Sequence, residues 1–185
     1  RYIPRMPTLD DRGLPTGSTH EAARHAVESA LWRMMAFYDT PLSDLDVATA
    51  FDPAWPLPHA MKAGFLFSLT EPGLVDEASQ HLAAAHALLT ASTPARERAH
   101  VEALQLIQEG RWAAACRAWD LLLIEHPRDA LALQWAQLWD FYRGDAPSLR
   151  ARPARALAEW DEDDPLFPHV LGLWAFGLEE NHCFS

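Results

Sequence analysis

Residues Ala95 to Asp129, ARERAHVEALQLIQEGRWAAACRAWDLLLIEHPRD, decide the fold because they read as two antiparallel helices joined by a tight turn. Apolar residues recur at helical spacing before and after Gly110, which predicts one helix on each side of it. Glycine adopts the left-handed conformation without a Cβ clash, so Gly110 is expected to end the first helix. His126-Pro127 is expected to end the second, since a residue before proline is disfavoured in a helix. The stripes consist of Ala99, Ala103, Leu106, Ile107 and Gly110, and of Trp112, Ala115, Cys116, Trp119, Leu122 and Leu123.

Capping residues mark where several predicted helices begin. Thr93 before Pro94 is expected to start the first central helix, because a threonine side chain caps free amides and proline tolerates the first turn. Ser18 with Glu21 three residues later has the pattern of a capping box. Asp129 is expected to cap the helix that follows the central pair.

The same two-helix pattern repeats along the chain. Gly73, Gly110 and Gly144 follow one another at intervals of 37 and 34 residues, which is typical of stacked helical hairpins. Further helices are predicted from residue 18, over 42–51, 55–70 and 74–89, from Asp129 to Gly144, around Pro153, and from Pro165 onward. Residues 1–17 are expected to be an irregular lead-in, and 18–185 a repeat domain that continues beyond 185 in the native protein.

Composition and charge narrow the possible partners. The net charge of −11 disfavours binding to nucleic acid or to anionic membranes, both of which need a basic surface. No run of about 18 apolar residues is present, so the sequence predicts no membrane span. With two cysteines, Cys116 and Cys183, the chain has no disulfide framework, which favours a reducing cytoplasm.

The central unit resembles a tetratricopeptide repeat, with Ala103, Ala115, Trp119 and Pro127 at the eighth, twentieth, twenty-fourth and thirty-second positions of its 34-residue frame. The predicted fold is therefore all-α, with tetratricopeptide-like α-α hairpin repeats stacked in a right-handed superhelix. The alternative is an ordinary antiparallel hairpin within a helical bundle.

Five motifs taken together resemble the tetratricopeptide repeat protein 38 family. The resemblance covers roughly residues 10–185, and it implies architecture more than activity. The motifs are FDP at 51–53, RExxHxxA at 96–103, HPxD at 126–129, WDFYxG at 139–144 and AFGLEE at 175–180.

The repeat frame also selects candidate binding residues. In such repeats the first helix of each hairpin lines a concave groove, and the frame predicts a polar, partly acidic groove suited to a basic or polar ligand. Pairing among these residues is the competing interpretation: Glu97 with His100, or Arg96 with Glu179, Glu180 or Asp129. The candidates are Arg96, Glu97, His100, Gln134, Asp140, Glu179 and Glu180.

The leading hypothesis is a non-catalytic binding or scaffold module that recognises a peptide, a protein or a small polar ligand. The alternative is an enzyme that uses Glu97, His100 and Glu179. One version of this alternative is metal-dependent, because Glu97-x-x-His100 and Glu179-x-x-His182 have the spacing of the ligand pairs in carboxylate-bridged di-iron bundles. No cofactor or metal is predicted. A third alternative is that the segment completes a larger solenoid or a homo-oligomer interface.

Overall fold

The computed structural model describes residues 8–183, and that part of the chain is almost wholly helical, which confirms the all-α class. A 3-10 turn at Pro72–Leu74 precedes the fourth α-helix. The α-helices are α1 (Glu21–Ala36), α2 (Leu42–Phe51), α3 (Pro56–Ser68), α4 (Val75–Ala87), α5 (Ala95–Gln108), α6 (Trp112–Glu125), α7 (Ala130–Tyr142), α8 (Ala146–Leu157) and α9 (Phe167–Glu180).

Several helix boundaries confirm the sequence predictions. Gly110 and Gly144 are left-handed, with φ of 73° and 72°, and each follows the end of a helix. The Asp129 side chain accepts a hydrogen bond from the amide of Ala132 at 3.0 Å, as expected for the cap of α7. These signals are local, so the sequence alone is enough to place them.

The two other capping predictions are wrong. Ser18 donates instead to Asp52 at 2.7 Å, and α1 begins at Glu21 without a side-chain cap. Thr93 accepts from the amide of Thr90 at 3.0 Å, and α5 also begins without a side-chain cap. In both places a tertiary contact or a tight loop uses the hydroxyl that the local pattern assigned to the helix.

Three helices are shorter than the apolar pattern indicated. α3 and α4 each lose residues at both ends relative to the predicted 55–70 and 74–89, and α9 begins at Phe167 rather than at Pro165. Pro153 lies inside α8 and is buried. Apolar residues just outside a helix still pack on its neighbours, so hydrophobic periodicity extends past the hydrogen-bonded helix.

A small β-hairpin occupies the stretch that was expected to be irregular. Strands β1 (Thr8–Leu9) and β2 (Pro15–Thr16) pair antiparallel, with Thr8 opposite Thr16. The carboxylate of Asp10 holds the turn, because it accepts from the amides of Arg12 and Leu14 at 2.9 Å each. The rest of that prediction, residues 1–7, lies outside the described residues.

Each helix packs against the next one along the chain, and the odd-numbered helices also meet one another. α3 contacts both α5 and α7, while α1 contacts α7 although more than ninety residues separate the two helices. Gly64 of α3 allows close approach, since a Cβ there would overlap the buried ring of Trp135 on α7. Buried residues of these helices and of the even-numbered helices form one core. Within residues 8–183, no helix is long and apolar enough to cross a bilayer.

Candidate functional site

Three of the predicted groove residues lie on one face of α5 and are enclosed by protein. Arg96, Glu97 and His100 are 5%, 0% and 0% exposed. Their spacing of one and four residues places them side by side on the helix. They face the interior of the stack, where α7 and the N-terminal hairpin cover them, rather than an open groove.

Asp129 joins two of these residues, 29 and 33 positions along the chain from it. Its Oδ2 accepts from Arg96 Nε at 2.6 Å and from His100 Nε2 at 2.9 Å. Burial alone would raise the pKa of Asp129, but Arg96 and His100 outweigh burial and hold that pKa well below its usual range. Asp129 is therefore ionised, and the predicted pairing of Arg96 with Asp129 is confirmed.

Glu97 binds the N-terminal segment rather than His100. Its Oε1 accepts from the amide of Gly17 at 2.8 Å, the hydroxyl of Thr16 at 3.1 Å and Trp55 Nε1 at 3.0 Å. Burial raises the pKa of Glu97, and these hydrogen bonds only partly oppose that effect. The Glu97 carboxylate thus anchors the hairpin to α5.

A cavity of about 20 Å³ lies beneath the hairpin, between Arg96 and the ion pair that Arg12 forms with Glu28 at 2.5 Å. Asp10 reaches into the same region, 3.9 Å from Arg96. A volume of this size holds about one water molecule and no organic substrate. The Arg96–Glu97–His100 cluster therefore acts in this structure as an internal polar network.

Asp140 belongs to a second buried network, which joins α7 to α8. It accepts from Arg143 Nε at 2.9 Å and pairs with Arg152, which in turn donates to Asp120 of α6 at 2.8 Å. The Cys116 thiol lies beside this network, and burial raises its pKa to about 12. Asp140 is thus a partner between helices rather than a groove residue.

The remaining candidates lie apart from these networks. Gln134 is buried and donates to the backbone oxygen of Met34 at 3.2 Å, whereas Glu179 and Glu180 are exposed near the end of α9. Among residues 8–183, no three His, Cys, Asp or Glu side chains come together as a metal site would require. The two Glu-x-x-His pairs are therefore not assembled into a di-iron arrangement.

An open groove lies elsewhere, with α7 as its floor and α1 and α9 as its walls. It encloses about 650 Å³, which is within the range of ligand-binding clefts. None of the described residues lining it is Asp, Glu, Lys or Arg. The lining residues are Met35, Ala36, Phe37, Gln134, Gln137, Leu138, Phe141, Tyr142, Pro168, His169, Gly172, Leu173 and Phe176.

Aromatic rings form the rim of this groove. Phe141 of α7 and Phe176 of α9 meet edge to face at 5.5 Å between ring centres, and Phe141 remains 47% exposed. Next to the groove, Trp32 of α1 packs against His169 of α9 at 6.2 Å. Exposed apolar patches of this kind mark interaction sites on soluble proteins.

Phe37 is the least expected residue of the rim. It follows α1 directly, is 71% exposed and has a φ of 50°, a left-handed conformation that glycine normally occupies at helix ends. A bulky side chain there costs free energy and gains little burial in return. The packing of the fold therefore does not explain why a bulky aromatic residue occupies this position.

No protein-family model matches the chain, and no solved structure matches it significantly.

Of the residues selected from the sequence, Gln134 alone lines the groove. Phe141 and Phe176 were not selected, although each lies in a motif quoted for the family resemblance, the segments 139–144 and 175–180. The sequence therefore contains both residues within recognisable motifs, but these motifs indicate architecture rather than a binding surface. Phe37 gave no signal, because the sequence does not show that its backbone is left-handed.

Proposed function

We propose that this protein is a helical-repeat binding module and that its binding site is the groove between α1, α7 and α9. The observation that carries the proposal is the groove itself, a cleft of about 650 Å³ lined by apolar and aromatic side chains. Buried aromatic anchors supply most of the free energy at protein interfaces. The groove differs from the polar one expected from the sequence, because the polar face of α5 is turned into the core.

The proposal includes a tetratricopeptide-like right-handed superhelix related to the tetratricopeptide repeat protein 38 family. The packing of each helix on the next, and the turns at Gly110 and Gly144, support this architecture. Cys116 and Cys183 are both unpaired, which supports a reducing compartment such as the cytoplasm.

The enzyme alternative receives less support from the geometry. Glu97 and His100 are fully buried, and neither lines the cavity of about 20 Å³ that Arg96 borders. Glu179 lies exposed on a different helix. A substrate would have to displace the N-terminal hairpin to reach Glu97.

Gly172 provides a direct test, because it lines the groove and a Cβ at this position would meet no other atom within 4 Å. The Gly172→Phe variant should fill the groove without disturbing α9, while Gly172→Ala leaves it open and serves as the matched control. Both changes replace a helical glycine, so both should preserve or slightly raise stability.

The probe is N-phenyl-1-naphthylamine, an uncharged apolar fluorophore. We expect saturable binding at one site in the wild type and in Gly172→Ala, and a loss of about tenfold or more in Gly172→Phe, equivalent to at least 1.4 kcal/mol. Circular dichroism melting checks that all three proteins are folded. Equal binding by the two variants would refute the assignment of the groove as the binding site.

A further inference from the structure

The groove is uncharged along its length but has carboxylates at its margins. Glu179 follows Phe176 by three residues and Gly172 by seven, so all three share one face of α9. Glu179 therefore continues the wall of the groove by one helical turn, and it is exposed. At the opposite wall, Asp39 lies two residues beyond Phe37. Its side chain is 68% exposed, and its carboxylate lies 3.8 Å from the guanidinium of Arg33, which leaves one side of it open to a second cation.

The whole chain strengthens this local charge. A net charge of −11 over 185 residues attracts cationic partners and repels anionic ones, including a second copy of the same chain. The sign of the field and the apolar lining together favour an occupant that is apolar on one side and basic at its edges.

The exposure of the rim distinguishes a protein partner from a small molecule. A compact ligand within about 650 Å³ would leave the outward-facing rings of Phe37 and Phe141 in water, 71% and 47% exposed as they are now. A helix is about 10–12 Å across with its side chains, so one seated on α7 would extend over both walls. It would place apolar residues at helical spacing into the groove and cover the rim.

We propose that the occupant of the groove is a basic amphipathic helix of a partner protein, with its apolar face on α7 and its lysines or arginines beside Asp39 and Glu179. This inference rests on the proposed function and adds to it the chemistry of the partner.

Three fluorescein-labelled peptides test the proposal against the full chain. The first is an amphipathic leucine–lysine peptide of about five helical turns. The second has the same composition in scrambled order, so that no apolar face forms, and the third replaces each lysine with glutamate. Binding is followed by fluorescence anisotropy in the wild type, in Gly172→Ala and in Gly172→Phe.

We expect the leucine–lysine peptide to bind saturably to the wild type and to Gly172→Ala, and about tenfold or more weakly to Gly172→Phe. The scrambled and the glutamate peptides should bind to the wild type no more tightly than the leucine–lysine peptide binds to Gly172→Phe. The double variant Asp39→Asn, Glu179→Gln should lose roughly 2- to 30-fold and show a smaller dependence on salt, as expected for two exposed charge pairs. Asparagine also tolerates the positive φ of 55° at position 39.

Several results would overturn the inference. Equal affinity for the glutamate peptide would remove the requirement for a basic partner, and equal affinity for the scrambled peptide would reduce the effect to general charge attraction. Leucine–lysine binding that survives Gly172→Phe would place the helix elsewhere. Self-association of the wild type that Gly172→Phe abolishes would identify a second copy as the occupant.

The two proposals fail separately. If N-phenyl-1-naphthylamine binds in the groove but no peptide does, a small apolar ligand replaces the helix and the binding function stands. If neither the fluorophore nor any peptide is sensitive to Gly172→Phe, both proposals are wrong.

Discussion

The left-handed conformation of Phe37 can be isolated by comparing two substitutions at that position. Phe37→Ala and Phe37→Gly both remove the ring. The free energy lost with its partial burial is therefore nearly the same in the two variants and drops out of the comparison. A residue with a Cβ in the left-handed region costs about 1–2 kcal/mol, while the greater freedom of glycine in the unfolded chain returns about 0.4–1 kcal/mol. With φ at 50°, Phe37→Gly should therefore be more stable than Phe37→Ala by about 0.8 kcal/mol.

Urea unfolding followed by circular dichroism measures this difference, and the melting temperatures should differ by about 2–3 °C for a chain of this size. Ala83, exposed in the middle of α4, is the control, because Ala83→Gly should cost about 1 kcal/mol, the opposite order. Both Phe37 variants should bind N-phenyl-1-naphthylamine more weakly than the wild type. If Phe37→Ala equals or exceeds Phe37→Gly in stability, the backbone argument is wrong.

Three further predictions concern the buried network and the thiols. Asp129→Asn should lower the free energy of unfolding by about 3–5 kcal/mol, since it leaves Arg96 buried without its carboxylate partner. In the wild type, this contribution to stability should be complete above about pH 4 and should disappear as the pH falls through the depressed pKa of Asp129. Measurements of unfolding free energy at a series of acidic pH values check this. Glu97 should show the opposite pH dependence, because its pKa is raised in the folded protein. The stability of the wild type relative to Glu97→Gln should decrease as the pH rises from the ordinary glutamate range through that raised pKa. A difference that does not change with pH in urea unfolding experiments would contradict this prediction. Because burial raises the pKa of Cys116 to about 12, a thiol reagent at pH 8 should label Cys183 alone in the folded protein and both cysteines in urea, as counted by mass spectrometry.

The helices could be predicted because their signals are local. Apolar residues at helical spacing located most of the α-helices, and Gly110 and Asp129 fixed helix ends within one or two residues. α8 was indicated only by Pro153, which was expected to kink or start a helix and lies inside it. The ion pair between Arg96 and Asp129 was also among the alternatives, since the repeat frame placed both residues in neighbouring hairpins.

The position of the groove could not be predicted because it depends on contacts between distant helices. α1 meets α7 across more than ninety residues. The α5 face with Glu97 and His100 is buried by the N-terminal hairpin, Trp55 and α7. The repeat frame says which face of each helix is inner, but it does not give the curvature that decides whether an inner face is open or filled. Here the space beside α5 is filled, and the space beside α7 and α9 is open.

The hydrogen bond that the amide of Gly17 donates to Glu97 has a consequence for folding during synthesis. The hairpin leaves the ribosome before α5, because its anchor Glu97 is 80 residues further along the chain. At about 5–20 residues per second, the hairpin waits roughly 4–16 s before that anchor exists. Glu97, in contrast, leaves the ribosome after the residues that donate hydrogen bonds to it. Its carboxylate can therefore be buried together with these partners as soon as α5 packs. A nascent chain stalled before α5 should therefore leave the hairpin open to protease, and one stalled well after α7 should protect it.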